Sequence, residues 1–461
     1  MLAERYAPAS LAAVFTPQKR YAVWRRLWLS LARNQRRLGL DVVSEEALEQ
    51  MEAALDRVDF TAVESYERRL RHDVMAHVHA FADVAPAARA VIHLGATSYF
   101  VVDNTDLVLL REALSILVRH IAHLVATLAA FAGREAETVV LGYTHLQPAQ
   151  PTTAGKRACL WLWDFCRGLE TMDELRKGMP FRSIKGAVGT QASFLVLFGG
   201  DREKVERLEK AVAADFGFDE VFPVTGQVYP RGFDAELADA VGRLAAAAHR
   251  FCQDVRLLCG LGDYSLAKTP EAVGSSAMPH KINPVVPERV CGLARYVMSL
   301  AETARQTAAH NWLERSLDDS AARRIYLERL MLGAGALVRF CCDVASRLRV
   351  GARARARLRE RLPELAAEGV LMEAVLRGAD RQEAHEALRE AAALLREHGD
   401  LEEYAGRIEA DERLKGVRLI DWLDERRLVG LAAHQTKSFI KNRVGPLLAR
   451  FEPLAPEAAE V

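Results

Sequence analysis

The chain has 461 residues, half of them hydrophobic and 27% charged, with 62 Lys+Arg against 62 Asp+Glu. At roughly 100–200 residues per domain this length predicts two to four domains with ample core. The zero net charge argues against nucleic acid as the main partner, because phosphate-binding domains carry a basic excess, yet it leaves room for a small anionic ligand. No run approaches roughly 18 uninterrupted apolar residues, so no membrane span is expected. The opening MLAERYAPAS lacks the basic-then-apolar order of a secretory leader. None of the seven cysteines forms a C-x-x-C pair, which predicts buried, reduced thiols in a cytoplasmic protein.

Proline placement predicts the helices. There is none from 87 to 147, from 288 to 362 or from 364 to 445, and a proline-free stretch is where a long helix can run. Residues 104–135, 234–260 and 287–349 carry apolar side chains at three- and four-residue steps, and Pro287 suits a first helical turn. Such helices, apolar over much of their surface, belong inside a bundle, which subunits can share. Strand candidates are few: 138–144 and 194–198. The expected fold is mostly α. Residues 351–362 hold five arginines and read either as a solvated helix face or linker, or as an RNA-binding arm.

Candidate chemistry lies in the loops between these helices. Arg71-His72-Asp73 is followed by His77 and His79. Steps of five and two residues share no helix face, so a metal site is not expected, and the cluster reads as a binder of carboxylate or phosphate. After His93, Thr97 and Ser98 are possible donors to an anion, and Asp103-Asn104-Thr105-Asp106 reads as a helix cap. His145, within Gly142–Gln150, is either a general acid–base group or a structural histidine. The run 186–193 lacks the G-K-[ST] of a phosphate loop. Residues 274–284, GSSAMPHKINP, read either as a polar turn or as an anion-binding loop whose backbone N–H groups and Lys281 would stabilise negative charge. Residues 312–324 set three acids beside three arginines, read as a salt-bridge network or as a phosphate clamp by Arg315 and Arg324.

The 274–284 loop resembles the signature of the fumarase/aspartase superfamily. Within it the chain is similar from end to end to the adenylosuccinate lyases, through RYAP at 5–8, RHD at 71–73, HLGATS at 93–98, GYTHLQPAQPTTAGKR at 142–157, GTQASF at 189–194, TGQVYPR at 225–231 and ERSLDDSAARR at 314–324. The resemblance implies three helical domains, here 1–97, 98–350 and 351–461. The middle one would be a long-helix bundle that assembles a homotetramer with active sites shared between subunits. It implies β-elimination of fumarate from adenylosuccinate to give AMP, and from succinylaminoimidazole carboxamide ribotide (SAICAR) to give AICAR, in purine nucleotide biosynthesis, with no cofactor and no metal.

By the same resemblance Ser275 is the base, His145 the acid and His72 a substrate ligand that supports the acid. Lys281 and Asn283 hold the succinyl carboxylates, and Gly274 lets the loop close. Arg5, Tyr6, Arg289, Ser320 and Arg324 contact the nucleotide, several of them at its phosphate. Arg71, Asp73, Thr97, Ser98, Thr144, Gln227 and Arg315 complete the substrate-binding set. Ile282, where many of these enzymes have Arg, the 285–287 stretch VVP and the unfamiliar 261–272 stretch depart from the pattern; they bear on substrate preference and not on the reaction class. The alternatives are another lyase of the superfamily, such as argininosuccinate lyase or a carboxymuconate cycloisomerase, and a non-catalytic crystallin-like relative.

Overall fold

Five long helices carry the architecture: Ser98–Arg134, Ala154–Lys177, Gly232–Leu261, Val285–Ala309 and Asp318–Arg347. The computed structural model describes residues 2–267, 278 and 281–457. Gly232–Leu261 lies along Val285–Ala309, while Ser98–Arg134 packs against both Ala154–Lys177 and Asp318–Arg347. Leu107, Leu110, Leu114, Leu117, Ile121, Leu124 and Leu128 are all fully enclosed, and their three- and four-residue steps form the stripe that a bundle buries. Among the described residues, Ser98–Arg134 is the helix long and apolar enough to cross a membrane. Its Asp103, Asn104 and Asp106 are buried against other parts of the chain, as befits a core helix.

Three sequence expectations need correction. Residues 103–106 do not cap a helix that starts at 104. The helix begins at Ser98, with Thr97 in the N-cap position, and the four polar residues lie within it, each with a distant partner or enclosed by the core. The 287–349 stretch is two helices, not one. The break at 310–317 contains no proline or glycine; it is held by Ser316 N–H donating to Asn311 Oδ1 at 3.3 Å and by Ser316 Oγ donating to the His310 carbonyl at 3.3 Å. Leu313 takes a left-handed φ of 46° there. Residues 194–198 are not a strand. Ala192–Leu197 is a short helix, and Phe194 and Leu197, three apart, both close on Gly95. A short apolar run cannot be assigned by periodicity alone.

The 138–144 strand is present. Val139–Thr144 pairs antiparallel with Gln147–Thr153, and a second small sheet pairs Tyr264–Leu266 with Leu348–Val350. The arginine-rich stretch is the helix Ala352–Leu365. Its Leu358 and Leu365 pack on Leu141 of the hairpin, while Arg353, Arg355, Arg359 and Arg361 are exposed. A separate apolar core is built from residues between Ala366 and Leu419. Farther on, Val444 and Leu447 rejoin the main core, and Arg443 pairs with Glu170 at 2.5 Å. All seven cysteines are free thiols, six of them buried.

Candidate active site

At one end of the bundle the helices Asp73–Val84, Ser98–Arg134 and Asp318–Arg347 converge through polar side chains. His72 is the N-cap of Asp73–Val84, its Nδ1 accepting from Met75 N–H at 3.3 Å. That bond places the proton of the neutral ring on Nε2, which lies 3.5 Å from Ser98 Oγ. Arg71, just before it, caps the preceding helix Phe60–Leu70 in a left-handed conformation, with φ at 53°. Asp73 accepts from Val74 N–H at 2.8 Å and from Arg324 Nη2 at 2.5 Å. Burial alone would raise the Asp73 carboxyl, but the hydrogen bond and charge of Arg324 outweigh it and hold the group below its ordinary value.

The cluster continues inward. Ser320 hydrogen-bonds the Tyr99 hydroxyl. The Arg315 guanidinium lies 3.6 Å from the centre of the Tyr99 ring and donates to Gln227 Oε1 at 2.6 Å. Gln227 is tied down by its own Nε2, which donates to the Ala187 carbonyl at 3.1 Å, and by its N–H, which donates to the Glu314 carbonyl at 3.0 Å. Thr97 Oγ1 and Arg315 Nε are buried without a hydrogen-bond partner in the protein. Their chemistry is that of donors facing an anionic ligand.

A second group gathers Arg5, Tyr6 and Arg289. Arg5 and Arg289 each sit 5.9 Å from the Tyr6 ring centre, and Tyr6 meets Phe340 edge-on at 6.0 Å. Phe340 stands sixteen residues beyond Arg324 on the Asp318–Arg347 helix, about 24 Å at 1.5 Å per residue. Lys281 and Asn283 lie on the segment entering Val285–Ala309, with Lys281 N–H donating to the Met278 carbonyl at 2.9 Å. Gly274 and Ser275 lie outside the described residues.

Thr144 and His145 form a third group, at the tip of the Val139–Thr153 hairpin. His145 and Leu146 hold left-handed φ values of 54° and 59°, the conformation a two-residue hairpin turn demands, and both are exposed. Among the described residues no hydrogen bond or ion pair links His145 to either of the other groups, so within one chain the expected site falls into three parts. No group of three or more His, Cys, Asp or Glu among the described residues is arranged to hold a metal. Of the histidines after His72, His77 stacks on Tyr21 at 3.9 Å and His79 on Tyr66 at 5.2 Å.

The model of a family described as lyase matches residues 29–299. Over 460 residues the chain is 41% identical to the adenylosuccinate lyase of Saccharomyces cerevisiae, covering 98% of this chain and 95% of that one. It is 39% identical to that of Schizosaccharomyces pombe, covering 99% and 96%, and 40% identical to that of Schistosoma mansoni, covering 98% and 96%. The chain belongs to the adenylosuccinate lyase family. Solved structures agree on the fold. The 3-carboxy-cis,cis-muconate lactonizing enzyme from Pseudomonas putida superposes with a TM-score of 0.83 at 23% identity, covering 98% of this chain and 99% of that one. The fumarate lyase from Mesorhizobium sp. BNC1 does so at 0.80 and 21%, covering 95% and 99%. At these identities the likeness is one of fold.

Sequence reasoning missed what holds this family member's site in place. Arg231 donates to Asp103 at 3.0 Å and to Asp319 at 2.8 Å, and Arg323 donates to Asp234 at 2.7 Å and to the Tyr229 hydroxyl at 2.5 Å. Arg323 also pairs with Asp103 and Asp106, and Arg20 reaches Asp106 at 2.7 Å. Buried charge of this kind persists only when it is paired. Of the two readings of 312–324, the salt-bridge network is present, and it uses two faces of one helix. Asp319 and Arg323, one turn apart, point into the buried network, while Ser320 and Arg324, also one turn apart, point to Tyr99 and Asp73. His93 was passed over as well. Its Nδ1 accepts from Trp28 Nε1 at 2.8 Å, and burial, with the nearby His72 charge, pushes it down to about 4. Its signal was the left-handed turn that ends at Gly95, where φ is 78°.

Proposed function

We propose that the chain cleaves adenylosuccinate to AMP and fumarate, and SAICAR to AICAR and fumarate, by β-elimination. The observation that carries this reading is the meeting of His72, Ser98, Asp73, Arg324, Ser320, Arg315 and Gln227 at one bundle end, in a chain 41% identical over nearly its whole length to an adenylosuccinate lyase. In this reading Ser275 removes the proton from the succinyl carbon next to a carboxylate. The electron pair left behind spreads into that carboxylate, then forms the new C=C bond of fumarate as the C–N bond breaks. The departing nitrogen keeps the bonding pair and takes a proton from His145.

The intermediate carries several negative charges, so preorganised cations and N–H donors supply the main stabilisation. Lys281 and Asn283 take the succinyl carboxylates. Arg5, Tyr6, Arg289, Ser320 and Arg324 take the nucleotide. Arg71, Asp73, Thr97, Ser98, Thr144, Gln227 and Arg315 position the rest, and His72 supports the acid. Thr97 Oγ1, Arg315 Nε and Arg289 Nη1, all buried and bonded to no protein group, support these assignments. The three separate groups of site residues fit a cytoplasmic homotetramer in which neighbouring chains complete each site.

The test is the purified protein with adenylosuccinate, followed by the ultraviolet change as AMP forms. Turnover is expected, with its loss in Ser275→Ala. No turnover, together with turnover of argininosuccinate, would overturn the reading.

A further inference from the structure

The His145 turn has little of its own to hold it. The ladder beneath it is interrupted by a register shift between Leu141 and Tyr143, and two of its pairs, Leu141 with Pro151 and Tyr143 with Pro148, set a proline opposite. Proline has no N–H to give. Gly142 is pressed so close to the opposite strand that a Cβ there would come within 2.5 Å of the Gln150 carbonyl oxygen. Both tip residues are exposed and left-handed, a conformation that costs energy unless the surroundings impose it.

One strong tether lies two residues from His145. The Tyr143 hydroxyl donates to Asp263 Oδ2 at 2.5 Å, across 120 residues of sequence. Asp263 is 2% exposed and is fixed through its backbone, its N–H donating to the Leu258 carbonyl at 2.9 Å and its carbonyl accepting from Gly351 N–H at 2.7 Å. It therefore stands at the anchored end of the Gly232–Leu261 helix, ahead of the segment that leads to Ser275. Two arginines brace the pair. Arg157 Nη2 donates to the Leu141 carbonyl at 2.6 Å, its guanidinium 6.0 Å from the Tyr143 ring centre, and Arg357 reaches Asp263 Oδ1 at 3.6 Å. Burial, then the Asp263 hydrogen bond and charge, push the Tyr143 hydroxyl up to about 12, so it stays a donor at working pH. A charge-assisted bond to so enclosed a carboxylate is strong and directional. Asp263 also falls in the 261–272 stretch that departs from the family pattern.

We infer that Tyr143 and Asp263 are positioning residues: their hydrogen bond fixes where the hairpin tip presents His145. The inference rests on the reading of His145 as the acid. A misplacement of an ångström at a reacting group can cost up to a hundredfold in rate. Tyr143→Phe, which removes one oxygen and keeps the ring, is expected to lower kcat by about tenfold or more, with KM changed less than about twofold and little change in melting temperature. Amide exchange at residues 142–147 should quicken while that of Ser98–Arg134 stays put. Asp263→Asn should show the same pattern, and the double variant should be no worse than the poorer single one, because both remove one interaction.

Wild-type kcat in Tyr143→Phe overturns the inference, as do additive losses in the double variant or unchanged exchange at the tip. His145→Gln separates the two ideas. If it loses activity while Tyr143→Phe keeps it, the positioning role alone falls. If His145→Gln keeps wild-type kcat, the acid assignment falls and takes the positioning role with it.

Discussion

Arg324 donates through Nη2 to the carboxylate of Asp73 at 2.5 Å, joining positions 251 residues apart. The Arg324 side chain is still 60% exposed, and an ion pair so open to water contributes little to stability. Its value lies in direction. Asp73 holds the guanidinium toward the Tyr99–Ser320 side of the cluster, with further N–H donors left for an anion.

Arg324→Ala is therefore expected to raise KM for adenylosuccinate by about tenfold or more, the loss of a charge-assisted contact of about 1.5–3 kcal/mol. The melting temperature should scarcely move. Steady-state kinetics decide the matter, and an unchanged KM removes Arg324 from the phosphate site.

Just behind it, the buried network answers differently. Asp103→Ala leaves Arg231 and Arg323 with one carboxylate fewer in a setting that water does not reach. Removing one partner from such a network costs about 3–5 kcal/mol. The expected result is a marked fall in the thermal midpoint, or a failure to accumulate folded protein. A midpoint within about a degree of the parent would mean that the charges are solvated after all.

Acid should weaken the fold through histidines buried in the neutral form. Burial pushes His77, His93 and His120 down to about 4 from 6.5, and neither ring nitrogen of His120 has a hydrogen-bond partner. Between those values the unfolded chain binds the extra protons. Stability is thus fully present above about pH 6.5 and is lost as pH falls toward 4. His120→Leu should flatten this acid slope. Urea midpoints at about pH 7.5 and about pH 5 test it, and an equal drop in parent and variant would clear His120 of the effect.

The long helices were legible because proline-free stretches and three- and four-residue apolar steps are properties of the local chain. Ser98–Arg134 and Gly232–Leu261 follow from them. The break at 310–317 was not legible, since the Asn311 and Ser316 bonds that hold it use residues equally at home in a helix. Asp103 and Asp106 were misread because capping and buried ion pairing call for the same side chains. Only Arg231 and Arg323, far along the chain, tell the two apart. Of the residues expected at the site from motif spacing, Arg71–Asp73, Thr97–Ser98 and Arg315–Arg324 fall together at one bundle end. What the sequence could not convey is that one face of Asp318–Arg347 serves the network and the adjacent face the cluster, because nothing local distinguishes Arg323 from Arg324.

That helix also acts as a ruler. Arg324 near its start and Phe340 farther along touch two different groups of the expected site residues, with a fixed length and a fixed rotation between them. Between these points Gly333 and Gly335 are closely packed, and Arg339 donates to the Tyr6 and Ala7 carbonyls at 3.1 and 3.0 Å, so the intervening turns are themselves fixed. Insertion or deletion of a single residue turns one end by about 100° against the other and shifts it by about 1.5 Å. The residue count from 324 to 340 is thus held constant by geometry, whatever the side chains along it.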